Sequence, residues 1–188
     1  MTTSDFQELY ELFNLAETKL KQIEILQDEG IPIPPLNQLR YAGHHTLEAI
    51  VSHNDQNKIN NIYEAKDHCK RAIYDILEIG VVYLLEKIRI FQNDYKYIDI
   101  TSVIPNYVDI LDETWEAQNF ISQINRNKIE KYDEVQSVFD RIHQIEHKLE
   151  MSRKELNKKI LRFKLYLIFS ICGLFLASLS VLAALLFK

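Results

Sequence analysis

The chain has 188 residues, 47% of them hydrophobic and 26% charged, with four glycines, four prolines and two cysteines. Its net charge of −5 conceals an asymmetry: from Arg153 onward seven basic residues stand against one acid, Glu155, so that end carries +6 and residues 1–152 carry −11. An acidic body excludes general nucleic-acid binding, which needs clustered positive charge to neutralise phosphates, and two cysteines in separate elements, Cys69 and Cys172, imply no disulfide framework.

The scarcity of breakers and the lack of sustained strand alternation read as an all-α chain. A first helix is expected from about Asp5 to Glu29, with Ser4 as N-cap, Gln7 as its capping-box partner and Gly30 as the stop. Its apolar stripe is Leu9, Leu12, Phe13, Ala16, Leu20, Ile23 and Leu26. The prolines of IPIPPL predict an extended connector. A second helix, from Leu36 to about Ser52, should bury Leu39, Ala42, Gly43, Leu47 and Ile50, and HNDQN is a turn. The third runs from Gln56 to about Phe91 with Ile59, Ile62, Ala65, Cys69, Ile73, Ile76, Gly80, Val81, Leu84 and Ile88 inward. NDYKYIDITSV reads as loop or short extended segment. Pro105-Asn106 restarts a fourth helix to about Asn125, carrying Val108, Leu111, Trp115 and Ile121. The fifth begins near Lys128 and has no reason to stop.

Five helices with short connections form an antiparallel helical bundle, and the long last helix continues into a single C-terminal transmembrane helix. Residues 1–127 are the cytosolic bundle, 128–162 a long helical stalk with a basic collar, and 163–187 the membrane helix. Between Leu165 and Phe187 there is no charge, and about 20 apolar residues suffice to cross a bilayer. The start, MTTSDFQELY, lacks the basic region and apolar run of a signal peptide. The collar predicts an inner (cell) membrane protein, single-pass, with its N-terminus cytoplasmic and its lysines and arginines against anionic headgroups.

The last helix keeps one heptad register. Position a is Val135, Ile142, Leu149, Leu156 and Phe163; position d is Val138, Ile145, Ser152 and Lys159. Carried into the membrane it becomes Tyr166, Ser170, Gly173, Ala177, Ser180, Ala184 and Phe187, a largely small-residue stripe of the kind that permits close helix contact in lipid. The register predicts a parallel homo-oligomer wound as a left-handed coiled coil, with Ser170 and Ser180 lining either a pore or a closed anchor. The alternative is that 135–156 packs on its own bundle.

Chemistry-bearing side chains cluster on the second and third helices. Arg40, Tyr41, His44 and His45 stand on one; His68, Arg71, Tyr74 and Asp75 on the other. Antiparallel packing would bring these eight to one ligand cleft, suited to a nucleotide: a planar fork for phosphate and rings for a base. Arg71 and Asp75 also make sense as a solvated i,i+4 pair. His143 and His147 match H-x-x-E-H, but two ligands without a third make no zinc site, and they fall on a solvated face. No cofactor or metal is expected.

The spacing Arg40-x4-His45 in a helical bundle resembles the HEPN superfamily, whose R-x4–6-H motif supplies an RNase site, usually across a dimer; that resemblance implies Arg40 and His45 as a catalytic pair. Tyr41 stands where the family usually has a polar residue, and the motif falls early in the chain. In architecture the chain is similar to small bacterial antiviral membrane effectors of the Hailong channel type, a helical cytosolic domain joined to a membrane helix. That likeness implies a nucleotide-controlled pore or ion channel in antiviral defence and no enzyme; a tail-anchored tether without a pore is the alternative.

Overall fold

The computed structural model describes residues 3–27, 32–123 and 132–186, and among these it contains five helices and no strand. They are α1 (Thr3–Gln27), α2 (Ile33–Val51), α3 (Asp55–Asp94), α4 (Tyr107–Gln123) and α5 (Tyr132–Leu186). Ser4, expected as a cap, already lies within α1, while Gly30, Asn125 and Lys128 lie outside the described residues. The proline connector is shorter than expected. Among the described residues of this stretch Pro32 is extended, and Pro34 and Pro35 occupy the first turn of α2, where their missing N–H groups cost nothing. Asn54 caps α3, its Oδ1 accepting from the backbone N–H of Gln56 at 2.9 Å and Asn57 at 3.1 Å.

α3 is the spine. At 40 residues it is about 60 Å long, and the other four helices pack along it. Side-chain pairs give the directions. Lys66 meets Glu8 near one end of α3, and Gly80 approaches Ile23, so α1 runs parallel to α3. His45 meets Asn61 and Gln38 meets His68, so α2 runs back. Gly80 lies beside Phe139 and Asp94 pairs with Arg153, so α5 is again parallel; Lys148–Asn106 and Arg141–Glu116 make α4 antiparallel to it. Consecutive helices therefore alternate up and down, as an antiparallel bundle requires.

Ile73, Ile76, Leu77, Val81, Leu84 and Ile88 of α3 are buried, joined by Ala16, Leu20 and Ile23 of α1 and by Val135, Ile142, Leu149 and Leu156 of α5. A smaller cluster at the far end unites Leu9, Ala42, Ala49, Ile62, Ala65 and Cys69. Where three helices converge, a Cβ on Gly80 would stand 2.6 Å from both Ile23 Cδ1 and Phe139 Cε2, so glycine is what permits the approach.

Several helix faces differ from the sequence expectation. On α2 the buried residues are Pro35, Leu39, Ala42 and Ala49, whereas Leu47 and Ile50 are exposed and Gly43 borders open space. Ile59 on α3 is exposed. On α4 the inward residues are Ile110, Thr114 and Ala117; Val108, Leu111 and Trp115 face outward. The heptad seam of α5, Val135 to Leu156, is buried against the chain's own α1 and α3. Within one chain the apolar a and d positions of residues 135–156 thus pack on the bundle, while Ser152 and Lys159 are half-buried.

Residues 95–106 form hydrogen-bonded turns, not a strand. Ile100 and Ile104 are buried, and polar clamps tie this segment to α5. Tyr95 donates its hydroxyl to Asn157 Oδ1 at 2.9 Å, Lys148 donates to Asn106 at 2.6 Å, and Lys159 donates to Ser102 Oγ. Arg153 binds Asp94 at 2.7 Å and Glu150 at 2.6 Å and lies over the Phe91 and Tyr95 rings. Burial opposes the Arg153 charge, but these hydrogen bonds outweigh it and push its pKa up.

Beyond Ile160 no described side chain of α5 is buried. This part of the helix is long and apolar enough to cross a membrane, with a mean hydropathy of 1.9 over 18 residues and none of that window buried in protein. Tyr166, Ser170, Gly173, Ala177 and Ser180 are all exposed, and nothing stands within 4 Å of a Cβ placed on Gly173. The Ala184 side chain and Phe187 lie outside the described residues.

Candidate functional site: a groove between α1 and α2

α1 and α2 both lie on α3 but barely touch each other, leaving an open groove of about 900 Å³. Helix geometry explains its lining. Phe6, Tyr10, Phe13 and Glu17 recur at helical spacing on α1, flanking the core stripe that contains Leu9. Arg40, Gly43, His44 and Leu47 recur likewise on α2. The interior is apolar and aromatic, with Arg40 and His44 on one wall and Asn14 and Glu17 on the other.

The expected single cleft is divided by α2. Arg40 and His44 line the groove. Tyr41 and His45, each one residue further round the helix than Arg40 and His44, belong to the seam with α3, where the His45 ring stacks on His68 at 5.4 Å and 12°. Tyr41 lies 5.3 Å from His68, and the Arg40 guanidinium lies 4.8 Å from the Tyr41 centroid, so a row of flat groups leads from the exposed groove into the seam. His45 Nδ1 is 2.9 Å from Asn61 Oδ1 and His68 Nδ1 is 2.7 Å from Gln38 Oε1. Amide oxygens only accept, so each Nδ1 carries the hydrogen and donates.

Burial lowers the His68 pKa, and the nearby charges of Arg71 and His45 lower it further against a smaller opposing pull from Glu64 and Asp67. Arg71 thus stands close enough to act on His68 but is half-buried. Tyr74 and Asp75 depart from the expectation: Tyr74 is buried in the core cluster around α3 and Asp75 is buried beside it in sequence, so neither lines a cleft open to solvent. Burial first, then Glu78 and Asp75, push the Tyr74 hydroxyl above its ordinary range. Burial also raises the Cys69 thiol to about 12, leaving it an unreactive core group.

The catalytic expectation has a geometric consequence. Arg40 lines the groove, whereas His45 packs in the α2–α3 seam against His68 and Asn61. His143 lies over the Phe139 ring and His147 is exposed. Among the described residues no group of three His, Cys, Asp or Glu side chains is placed to hold a metal.

The chain matches no family model, no curated protein and no solved structure. Its site must therefore be judged on its own chemistry. An apolar, aromatic trough with a guanidinium and an imidazole on one wall suits a ligand with a flat or apolar body and an anionic group. The α1 half of this groove lies outside the sequence expectation, whose α1 stripe includes neither Phe6 nor Tyr10. The available signal was the width of the α1 apolar face, which exceeds the single stripe needed to pack on α3.

Proposed function

We propose that the protein is a membrane-anchored effector whose bundle receives a small anionic ligand of the nucleotide class in the α1–α2 groove and transmits its occupancy to the bilayer through α5. The observation that carries this reading is the double role of α3. Its first half, through Ile62, Ala65 and Cys69, packs beneath the groove; its second half, through Ile76 to Ile88, packs on α5. α5 then continues without a break from that core into the apolar segment. A ligand that favours one spacing of α1 and α2 biases α3, and a rigid helix delivers that bias to the membrane. The basic collar supports a cytoplasmic bundle.

In this reading the membrane segments of several copies associate through Ser170, Gly173, Ala177 and Ser180 into a pore that an antiviral effector would open or close. The test is conductance across a planar bilayer containing the full chain, with Ala177→Leu as control and nucleotides added to the bundle side. Discrete currents that respond to nucleotide and vanish in the control are expected. A bilayer silent under every condition would remove the pore.

A second reading, a membrane-anchored tether without a pore, is favoured by the seam of α5 being filled within one chain, so no coil between bundles supports the association of the tails. It predicts that replacing the apolar segment by an unrelated hydrophobic anchor leaves function intact.

A further inference from the structure

Resting on the reading that the apolar part of α5 spans a bilayer, we infer that the α3–α4 turn is a second membrane contact, in which Lys96 and Tyr97 engage the anionic headgroups of phospholipids. The turn is held at the membrane-proximal end of the bundle by the ladder of contacts that climbs α5: Asp94 to Arg153, Tyr95 to Asn157, Ser102 to Lys159. Lys159 is four residues before Phe163, about 6 Å along a helix. The headgroup layer on each face of a bilayer is itself about 5–8 Å thick. The turn therefore reaches the depth at which headgroups lie.

What the turn presents there fits an interface. Tyr97 is 84% exposed, a large ring left outside a bundle that buries Tyr95 two residues earlier. The Lys96 ammonium sits 5.0 Å from the Tyr97 ring centroid, so ring and cation project together. Tyrosine places its apolar body among acyl-chain ends and its hydroxyl among headgroups, while lysine meets lipid phosphate. The surrounding charge has the right sign. Asp94 is engaged by Arg153 and Glu155 by Lys158, and Asp99 is held by Thr101 and Ser102 with Lys159 nearby. Lys96, Lys154, Arg162 and Lys164 add positive charge at the same level of the molecule. Two contacts, a helix and a turn braced against it, fix the tilt of the bundle on the surface where one helix alone would leave it free to swing.

Depth-resolved quenching tests this in the full chain. With Trp115→Phe removing the sole tryptophan, three single-tryptophan chains are reconstituted into phosphatidylcholine vesicles with and without phosphatidylglycerol: Leu174→Trp, Tyr97→Trp and Tyr63→Trp. Lipids brominated near the headgroup or deep in the chain serve as quenchers. The Leu174→Trp chain reports insertion itself and should be quenched by deep bromines. The Tyr97→Trp chain should be quenched by shallow bromines, more strongly with phosphatidylglycerol, and Lys96→Glu should weaken that gain. The Tyr63→Trp chain, at the far end of α3, should be untouched. Quenching at position 97 no greater than at 63, with position 174 quenched, overturns the inference and leaves the membrane span standing. An unquenched position 174 removes the span and the inference together.

Discussion

The imidazoles of His45 on α2 and His68 on α3 stack nearly parallel, 12° apart with centroids at 5.4 Å, and each turns its Nδ1 to an amide from the opposite helix. Burial, Arg71 and His45 hold the His68 pKa below its ordinary 6.5. A depressed folded-state pKa means that the unfolded chain takes up the proton first as the pH falls. Stability should therefore be flat above about pH 6.5 and decline below it, down to the lowered pKa. Thermal melts across that range check this, and His68→Phe, which keeps a ring but cannot titrate, should flatten the dependence.

Gly80 lies where α1, α3 and α5 meet, and a methyl group there has no room beside the rigid Phe139 ring. Gly80→Ala should lower stability by about 1–3 kcal/mol, the usual cost of overpacking. Gly43→Ala is the contrast. Nothing stands within 4 Å of its Cβ position, so relief of glycine's helix penalty should raise stability by up to about 1 kcal/mol. Denaturant unfolding of the two variants would reveal opposite signs.

Arg40 is exposed at the groove and stacks on Tyr41. Because that position carries no core packing, Arg40→Gln should leave the melting temperature within error. A charge-assisted hydrogen bond contributes about 1.5–3 kcal/mol, so the same change should weaken binding of an anionic nucleotide by at least about tenfold. Calorimetric titration of the wild type and the variant gives the comparison. Gly43→Phe, which fills the trough, should abolish binding altogether.

Arg153 combines a fork to Asp94 and Glu150 with stacking on Phe91 and Tyr95. Lysine keeps the charge but has neither the plane nor the fork. Arg153→Lys should therefore loosen the turn from α5, seen as faster amide hydrogen exchange at residues 95–104 with little change in the rest of the bundle. Since the guanidinium is partly exposed, its removal should cost only about 1 kcal/mol of global stability.

Local and periodic features were legible in the chain itself. The low count of breakers and the 3.6-residue stripes of α1, α3 and α5 determined five helices, and the uncharged run after Lys164 determined a helix able to cross a membrane, because both follow from spacing along the chain. What an apolar stripe faces is a different matter. The α5 heptads suit a neighbouring copy as well as an internal partner, and the parallel placement of α3 beside α5 supplies Val135, Ile142, Leu149 and Leu156 with an internal one. Val108, Leu111 and Trp115 make a respectable inner face for α4 by spacing, yet Ile110, Thr114 and Ala117 are the residues buried. Phe6, Tyr10, Arg40 and Leu47 became one groove through the gap between two helices that share a support and not each other. A sequence specifies that a surface must be covered; the partner that covers it is settled by how the faces of all five helices compete to pack at once.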